Sequence, residues 1–507
     1  MELINSIFSW VMLKRMHQIE LFLKYPVEVQ QELFGKLIDS AQNTVFGREH
    51  DFANINNLKD FRTKVPVRSY EQLYPYIKRL LEGEQQVLWP SDVKWFAKSS
   101  GTTNNRSKFI PVTDEALEDC HFKGGKDMIS IYVNNYADSK IFTGKGLVIG
   151  GSHQINQFNK NSKSYYGDVS AVIIKNLPFW TQIIKTPPLE VALMSDWEEK
   201  IEKMAEITSE ENVTSIYGVP TWTVVLIKRI LELKNASNIL EVWPNLQLFV
   251  HGAVSFLPYK QLFHDLIPSD DMRYKETYNA SEGFFGIQDK KNSDELLLML
   301  DYGIFYEFIP FEEINKDDPK VVGLEDVEIG KNYAMVISTN AGLWRYNIGD
   351  TVKFTSTFPF RIKITGRTKH FINAFGEELI VENAEQGIAN ACLKTGAVIG
   401  DYTAGPRYIG QSNKGGHEWI IEFKKRPDNP DMFINILDKT MRKLNSDYDA
   451  KRFKNIALEK PIIHMVEDGT FYSWMKKLNK LGGQHKVPRL ANSRIYLDDI
   501  LTMIEQK

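Results

Sequence analysis

Short apolar runs alternate with amphipathic helical stretches through the middle of this sequence. Strands are predicted for the runs at residues 146–150, 214–217, 246–250 and 273–278. The helices predicted between them cover residues 197–208, 221–233 and 258–266. Strand and helix in turn are typical of an α/β sheet whose strands are buried on both faces. This pattern constrains the fold more than any other feature, and the predicted fold class is α/β.

The chain is longer than a single core usually supports, so its 507 residues predict at least two domains. From residue 295 the pattern changes to short strands and turns, which predict a small barrel or a second sheet. After residue 367 helices and strands return in a compact α+β arrangement. The predicted helices there are 382–393 and 431–444, and the predicted strands are 397–402 and 417–423. We place an N-terminal domain at 1–369 and a C-terminal domain at 370–507, joined by a short hinge.

Composition and charge exclude several classes of partner. The net charge is -3 and no Lys/Arg run stands out, so a nucleic-acid partner is not expected. Cys120 and Cys392 lack metal or redox spacing, which indicates buried thiols in a reducing compartment. The first 26 residues are interrupted by charges and lack signal-peptide features. They predict an amphipathic helix packed on the protein rather than membrane attachment, and the predicted location is the cytoplasm.

The stretch SSGTTNNRSKFIP, residues 99–111, is rich in hydroxyl and turn-forming residues. It lies between a β-prone run at 93–97 and a helical stretch that starts near Asp114. Its hydroxyl-bearing residues include Ser99, Ser100, Thr102 and Thr103. With Gly101 allowing a sharp turn and Lys108 supplying a charge, such a loop can surround polyphosphate oxygens. The alternative, a surface turn with a solvated lysine, is the commoner outcome for this composition, and the G-K-[ST] ending of a Walker loop is absent.

A second cluster is KETYNASEGFFG, residues 275–286. A β-prone run ends at Tyr278, and a polar turn then presents Asn279, Ser281 and Glu282. Sheets of the α/β class place ligands at such strand ends; Glu282 can hold Mg²⁺ and Tyr278 can stack on a flat base. The alternatives are a plain turn with a surface acid and a nucleophile elbow. The elbow fits poorly, because Asn279 occupies the first glycine position and no acid–histidine pair has obvious spacing.

Two later stretches carry further candidates. In LWRYNIGDTVKF, residues 343–354, Gly349 allows a tight turn between two strand-like runs. The adjacent Asp350 carboxylate can accept two hydrogen bonds from a diol such as ribose, or can cap its own turn.

Arg367 lies at the predicted domain junction. Lys486 lies in GGQHKVPRL, a glycine-led loop, where it is either solvated or delivered into an active site.

Together, these motifs resemble those of the adenylate-forming superfamily. The similarity is greatest to the acyl-acid amido synthetase family, the plant auxin- and jasmonate-conjugating enzymes and their bacterial homologues. S-S-G-T-T followed by Lys108 is similar to the family's phosphate loop, Y-x-x-S-E to its base-and-metal turn, and Y-x-x-G-D to its ribose-binding motif. The late H-K-x-P-R resembles its C-terminal lysine motif. The motifs follow the family's order from residue 99 to residue 489.

The resemblance implies a fold and a reaction. The fold would be a large N-terminal domain of sheets and a β-barrel, covered by a small mobile C-terminal domain, acting as a monomer. ATP and a carboxylic acid would give an acyl-adenylate and pyrophosphate. The amine of an amino acid would then displace AMP and leave an amide. The substrates are small molecules, and ATP and Mg²⁺ are the implied cofactors.

The resemblance also assigns roles to residues. The residues that would bind phosphate are Ser99, Ser100, Gly101, Thr102, Thr103 and Lys108. His251, Gly252 and Ala253 would line the adenine and acyl side, and Arg367 would touch ribose or phosphate. The other nucleotide-binding residues would be Tyr278, Asn279, Ser281 and Asp350. Tyr278 would stack on adenine and Asp350 would bind ribose. Glu282 would contact Mg²⁺ or the phosphates, and Lys486 would stabilise charge during adenylation, so these two are the catalytic candidates.

Some choices stay open at this point. The acyl pocket is sought in the helix at residues 121–132 and in YGVPTW, residues 217–222. An acyl-CoA ligase shares the first half-reaction and is the alternative chemistry. A nucleotide-binding homologue without turnover is another alternative, because residues 104–106 are Asn-Asn-Arg where the family usually has glycine. The hinge at residues 367–370 lacks the aspartate that is common in the superfamily.

Overall fold

The computed structural model describes residues 2–505, apart from 100–107, 151–155, 159–162, 179–180, 195, 254–255, 257–258, 315, 317, 368–370, 378, 410–413, 456 and 479–486. The helices of this part are α1 (Glu2–Leu13), α2 (Met16–Lys24), α3 (Pro26–Ala41), α4 (Val45–Glu49), α5 (Leu58–Lys64), α6 (Tyr70–Leu81), α7 (Asp114–Ala116), α8 (Lys123–Asn135), α9 (Val169–Asn176), α10 (Thr181–Ile184), α11 (Leu189–Ala192), α12 (Trp197–Thr208), α13 (Pro220–Lys234), α14 (Lys260–Leu266), α15 (Val381–Thr395), α16 (Pro430–Leu444), α17 (Ser446–Arg452), α18 (Thr470–Lys477) and α19 (Ile495–Glu505). The strands are β1 (Trp95–Ser99), β2 (Lys108–Val112), β3 (Lys145–Val148), β4 (Asn156–Gln157), β5 (Tyr165–Gly167), β6 (Lys185–Thr186), β7 (Val213–Tyr217), β8 (Leu248–His251), β9 (Arg273–Ala280), β10 (Gly283–Ile287), β11 (Leu296–Leu298), β12 (Ile304–Pro310), β13 (Asn332–Thr339), β14 (Tyr346–Thr357), β15 (Phe360–Arg367), β16 (Phe371–Ile372), β17 (Leu379–Ile380), β18 (Val398–Arg407), β19 (Gly416–Lys425) and β20 (Ile462–Val466).

The predicted strand–helix alternation forms the parallel half of the main sheet. Strands β6, β3, β7, β8 and β9 lie side by side and are parallel. Helix α12 precedes β7, α13 connects β7 to β8, and α14 connects β8 to β9. All four residues of β8 are buried, as expected for a strand with covered faces. The α/β prediction is confirmed.

The β-rich segment continues this same sheet. Beyond β9 the order is β10, β11, β15, β14, β13 and β12, and these neighbours are antiparallel. The alternative of a second, separate sheet is therefore wrong for these strands. Three strands separate β9 from β14, yet the Tyr278 hydroxyl on β9 lies 2.6 Å from Asp350 Oδ2 on β14. Such a contact requires the antiparallel half to curl towards a barrel shape.

The C-terminal part has its own three-stranded sheet, in the order β18-β19-β20, with α15 and α16 packed together. Its apolar residues join the hydrophobic core that also contains residues of α12, α13 and α14. The Tyr259 hydroxyl donates to the Ala374 carbonyl (2.9 Å), so polar contacts also link the two parts. The predicted boundary at residues 369/370 falls among residues outside the described part, between the end of β15 and the start of β16.

The N-terminal helices pack on the protein, as predicted. On α1, the Phe8 ring stacks on Phe142 with ring centres 5.3 Å apart, and Asn5 donates to the Ser139 carbonyl. Arg15, which precedes α2, donates to both carboxylate oxygens of Asp127 at 2.6 and 2.9 Å. Within the described residues, no helix combines the length and apolar character needed to cross a membrane.

Asp127 ties these helices to the core of the molecule. It is fully buried, and it accepts a third hydrogen bond from the Tyr302 hydroxyl at 2.8 Å. Burial raises the pKa of this carboxyl, although Arg15 and Tyr302 favour its charged form. Removing one partner of a buried ion pair leaves the other charge uncompensated, which typically costs about 3 kcal/mol.

We therefore expect Asp127→Ala to lower the free energy of unfolding by about 3 kcal/mol, measured by urea denaturation at neutral pH. Lys36→Ala is the matched control. It breaks the Lys36–Glu32 pair on α3, whose side chains are 70% and 68% exposed. An exposed pair contributes less than about 1 kcal/mol, so the control should unfold near the parent midpoint. Equal midpoints for the two variants would contradict the anchoring role of Asp127.

Candidate active site

The hydroxyl-rich stretch joins two antiparallel strands. In the register of β1 and β2, Ser99 lies opposite Lys108, so these residues mark the two ends of the loop. The predicted helix start near Asp114 is confirmed, whereas β2, which covers the last residues of the stretch, was not predicted. Ser100, Gly101, Thr102 and Thr103 lie outside the described residues, as does Lys486. Their assigned roles stay predictions.

Lys108 is linked to Glu282 through a tyrosine. Lys108 Nζ donates to the Tyr346 hydroxyl at 3.1 Å, and that hydroxyl donates to Glu282 Oε1 at 3.4 Å. The ammonium also lies 5.8 Å from the ring centres of Tyr346 and Tyr70, where an aromatic face attracts a cation. Burial raises the pKa of Tyr70 well above its ordinary value, and the Glu282 charge adds to this. The Tyr70 phenol beside the lysine is therefore neutral at physiological pH.

Glu282 belongs to a two-residue turn. Strand β9 runs to Ala280, beyond the predicted end at Tyr278, so the turn before β10 consists of Ser281 and Glu282. Asn279 therefore lies within the strand rather than in the turn. The turn places the Glu282 carboxylate, which is partly exposed, at the rim of the sheet beside Tyr346.

Asp350 lies within a single long strand. Gly349, predicted to form a turn between two strands, instead lies inside β14, where the register against β13 shifts. Its φ of +86° is a conformation that favours glycine. This irregularity places the buried Asp350 carboxylate beside Tyr278, whose hydroxyl donates to it at 2.6 Å. Asp350 also pairs in register with Arg367, the last residue of β15.

Tyr278 is buried and its ring packs on Phe285, with ring centres 4.8 Å apart. Its contact with Asp350 connects the Y-x-x-S-E motif to the Y-x-x-G-D motif. Stacking of Tyr278 on adenine stays a prediction. The structure links Lys108 to Glu282 through Tyr346, and it links Tyr278 directly to Asp350. Tyr346 and Asp350 both belong to β14, so the two sets of contacts involve the same strand.

Strand β8 ends at His251, and the chain leaves it through Gly252 and Ala253. The His251 ring stacks on Phe256 with centres 4.0 Å apart, and burial lowers the pKa of His251 to about 3, so this imidazole is neutral. A Cβ on Gly252 would lie 2.4 Å from the Thr277 carbonyl oxygen, which only glycine avoids. The Ala253 carbonyl accepts from Asn373 of the C-terminal part at 3.4 Å.

His121 lies on the helix that follows β2, at a π-helical turn covering Leu117–Phe122 between α7 and α8. Its side chain is buried and lies beside Asn279 of β9. Burial lowers the pKa of His121 to about 4, so it too is neutral at physiological pH. The helix at residues 121–132 is one of the two predicted walls of the acyl pocket.

Sequence reasoning missed Tyr346 and Tyr70 as site residues. Tyr346 is the first residue of the Y-x-x-G-D motif, so its position beside the glycine and aspartate was an available signal. Tyr70 opens α6 and accepts from the Phe109 N–H at 2.7 Å. No local pattern marks a helix-start tyrosine that reaches a distant hairpin.

The donor set fits a magnesium ion that is shared with substrate phosphates. Among the described residues, no group of three or more His, Cys, Asp and Glu side chains is arranged to hold a metal. Mg²⁺ commonly binds one or two carboxylates and completes its shell with phosphate oxygens and water. The single Glu282 carboxylate, partly exposed at the turn, fits that pattern.

Comparison with known proteins identifies the family. The GH3 family N-terminal domain matches residues 15–272, the GH3 family central domain 297–367, and the GH3 family C-terminal domain 382–495. The chain belongs to the GH3 family. The family resemblance predicted from the motifs is therefore confirmed.

Relatives and solved structures agree with this membership. Indole-3-acetic acid-amido synthetase GH3.3 of Arabidopsis thaliana is 22% identical, over 92% of this chain and 89% of its own length. Jasmonoyl--L-amino acid synthetase JAR4 of Nicotiana attenuata is 24% identical, over 93% of this chain and 92% of its own length. The solved structure of GH3.15 acyl acid amido synthetase has a TM-score of 0.59 at 18% identity, over 94% of this chain and 93% of that chain.

A 2-hydroxyisobutyryl-CoA ligase structure, in complex with an acyl-adenylate and CoA, has a TM-score of 0.56 at 11% identity, over 95% of this chain and 93% of that chain. These likenesses confirm the predicted adenylate-forming fold, with a large N-terminal and a small C-terminal domain. At such identities they show the fold alone.

The neutral state of His121 predicts a dependence of stability on pH. In the unfolded chain an imidazole has a pKa near 6.5, whereas the buried one has a pKa of about 4. Between these values the unfolded chain binds a proton that the folded GH3 protein does not, so stability falls as the pH drops through this window. The total loss is roughly 3 kcal/mol.

His121→Gln should flatten this part of the curve, measured as urea midpoints from pH 7 to pH 4. The control is His17→Gln, since the His17 side chain is 85% exposed and remains solvated in both states. A His121→Gln curve that parallels the parent curve would show that the imidazole is not buried in its neutral form.

Proposed function

We propose that this GH3 protein is an ATP- and Mg²⁺-dependent acyl-acid amido synthetase. It activates a carboxylic acid as an acyl-adenylate and transfers the acyl group to the amine of an amino acid. The observation that carries the proposal is the Lys108–Tyr346–Glu282 connection beside the Tyr278–Asp350 pair. This arrangement of one lysine and two carboxylates supports the proposed roles of Glu282 towards Mg²⁺ and Asp350 towards ribose, in a family whose named relatives join acids to amino acids.

In the first half-reaction an oxygen of the substrate carboxylate attacks the α-phosphorus of ATP, and the bond to pyrophosphate breaks. Both reactants are anionic, so positive charge and inward N–H groups are needed around the phosphates. Lys108 supplies one such charge at the base of the loop. The loop residues from Ser99 to Thr103 supply N–H and hydroxyl groups. Bound through Glu282, Mg²⁺ would neutralise charge on the phosphates. Lys486 stabilises charge during this step.

The nucleotide is held by the adjoining strands. Asp350, oriented by the Tyr278 hydroxyl, accepts hydrogen bonds from the ribose diol. Arg367, opposite Asp350 in the register, contacts ribose or phosphate. The segment from His251 to Ala253 lines the adenine and acyl side, and Tyr278, Asn279 and Ser281 are the remaining nucleotide contacts that the family resemblance assigns.

In the second half-reaction the amine nitrogen attacks the acyl carbon. The bond from that carbon to the AMP oxygen breaks, and the nitrogen loses a proton as the amide forms. This step depends mainly on positioning the amine against the acyl carbon, because AMP is already a good leaving group in the acyl-adenylate. An acyl-CoA ligase is the second candidate, and its support is the structural likeness to a CoA ligase of this fold.

The cytoplasmic location and the monomeric state stay proposals drawn from the sequence. Both cysteines are free thiols, Cys120 buried and Cys392 partly buried, which agrees with a reducing compartment.

The test of function measures pyrophosphate release and then identifies the product by its mass. The GH3 protein is given ATP, Mg²⁺ and a panel of carboxylic acids, and acid-dependent pyrophosphate release is expected. Amino acids or coenzyme A are then added, and mass spectrometry distinguishes an amide from a thioester. An amide supports the proposal, a thioester supports the second candidate, and no acid-dependent release contradicts both and favours a nucleotide-binding homologue without turnover.

Tyr346→Phe tests the connection between Lys108 and Glu282. Losing hydrogen bonds to charged groups should lower kcat/KM for ATP in pyrophosphate release about tenfold to a hundredfold. ATP binding without acid, measured by calorimetry, should weaken in parallel, while the apolar ring keeps its packing.

The matched control is Tyr306→Phe. That buried hydroxyl donates to the Met299 carbonyl at 3.1 Å and takes no part in the Lys108–Tyr346–Glu282 connection, so its loss should leave kcat/KM near the parent value. If both variants retain full kcat/KM, the Tyr346 hydroxyl has no role in positioning Lys108 and Glu282.

A further inference from the structure

Exposed apolar side chains are concentrated in the first two helices. Among the described residues, 19 large apolar side chains are exposed, and six of them lie between residues 7 and 25. These six are Ile7, Trp10, Val11, Leu13, Leu21 and Tyr25. Single exposed apolar residues are normal on a protein surface, whereas several on one short segment mark a surface that another molecule covers.

The first helix, α1, packs on the protein through one face. Asn5 donates to the Ser139 carbonyl at 3.0 Å. The Phe8 ring stacks on Phe142, and one turn later the Met12 sulfur lies 3.8 Å from a serine hydroxyl of α8. These three residues of α1 follow helical spacing, so they occupy a single side of the helix.

The opposite face of α1 is apolar and exposed. With 3.6 residues per helical turn, Ile7, Trp10 and Val11 lie on the side away from the packed residues. Their side chains are 52%, 58% and 40% exposed. A helix that is apolar on both sides is expected to be covered on both sides. Packing on the protein and contact with a membrane, which the sequence presents as alternatives, are therefore compatible in this helix.

Lysines flank the exposed aromatic rings of both helices. Lys14 follows the outer face of α1 by one turn, and its Nζ lies 3.5 Å from the centre of the Trp10 ring. On the second helix, Lys24 Nζ lies 5.2 Å from the ring centre of Tyr25, which is also exposed. Exposed aromatic rings with lysines beside them are typical of a segment that lies at a membrane–water interface.

Few negative charges oppose an anionic partner at this surface. Glu20 is the only acid between residues 5 and 25, and it lies 3.7 Å from the His17 imidazole. The Arg15 charge is compensated inside the protein by Asp127. The exposed positive charges of the segment are therefore those of its two lysines.

The outer face is too small for a stable dimer. A stable interface buries about 800 Å² on each partner. Ile7, Trp10 and Val11 offer on the order of 300 Å², and adding Leu21 and Tyr25 brings the area to roughly 500 Å². A bilayer surface sets no such threshold, because each apolar side chain that enters the boundary with the acyl chains adds to the binding.

We propose that the outer face of α1 binds the surface of a bilayer that contains anionic phospholipid. Ile7, Trp10 and Val11 enter the boundary between headgroups and acyl chains, while Lys14 and Lys24 contact anionic headgroups. The helix lies in the plane of the surface, with its inner face still packed on the protein. Binding is reversible, since so few side chains supply much less affinity than a spanning helix. The proposal does not depend on the proposed enzymatic function.

The test measures co-sedimentation of the full chain with two kinds of vesicle, phosphatidylcholine alone and phosphatidylcholine mixed with phosphatidylserine. The partition constant should be higher with the anionic vesicles and should fall as salt is raised, because salt screens the lysines. The triple variant I7S/W10S/V11S should bind at least about tenfold more weakly. The double variant K14Q/K24Q should lose the preference for phosphatidylserine, by about fivefold for each lysine.

Leu393→Ser is the matched control. Leu393 is 83% exposed on α15, so this variant removes an apolar side chain from a different surface and should keep the parent partition constant. The triple variant changes exposed side chains, so its urea midpoint should stay near that of the parent. If it does not fold, Trp10→Ser alone provides the same comparison.

The proposal is overturned if the parent protein does not sediment with anionic vesicles, or if I7S/W10S/V11S sediments as strongly as the parent. Light scattering without vesicles addresses the other occupant. A concentration-dependent dimer that the triple variant abolishes, combined with no vesicle binding, would assign the outer face to a second copy of the chain and overturn the membrane contact.

Discussion

The contact on which the site depends is the Tyr346 hydroxyl between Lys108 and Glu282, because it joins three distant parts of the chain. Its position is set by the preceding residue. Arg345 has a φ of +44°, an unfavourable conformation for a residue with a side chain. Its guanidinium is buried, donates to Glu307 Oε2 at 2.8 Å and to the Val65 carbonyl at 2.7 Å. A buried ion pair therefore offsets local backbone strain and fixes where Tyr346 enters the site.

The antiparallel half of the main sheet curls, and this curl brings residues of separate motifs close together. In an open, flat sheet β9 and β14 would be held apart by the three strands between them. Curling brings the Tyr278 hydroxyl onto Asp350, and the irregularity at Gly349 aims the carboxylate at it. The predicted phosphate-binding stretch joins β1 and β2 of a different sheet, in which β1 pairs with β2 and β5. The candidate site thus depends on how two sheets meet rather than on any single loop.

Local periodicity predicted the regular elements well, because burial repeats along each of them. The helix predicted at residues 197–208 is α12 with the same bounds, and the strand at 214–217 differs from β7 by one residue. The motif residues Glu282 and Asp350 were found because short polar residues near glycine are locally distinctive. Strand β2, the unbroken β14 and the roles of Tyr346 and Tyr70 could not be predicted in this way. The contacts of Tyr346 with Lys108 and of Tyr70 with Phe109 join residues more than 30 positions apart, which leave no periodic trace in the sequence. Strands β2 and β14 pair with neighbouring strands, but Pro111 and Gly349 within them are typical of turns.

Strand β9 gives a physical reason why the two sides of the candidate site can vary independently under the proposed function. Tyr278 and Asn279 are adjacent, yet they face opposite sides of the sheet, one towards the Asp350 carboxylate and the other towards the helix that carries His121. A substitution on that helix would therefore leave the Tyr278–Asp350 contact in place.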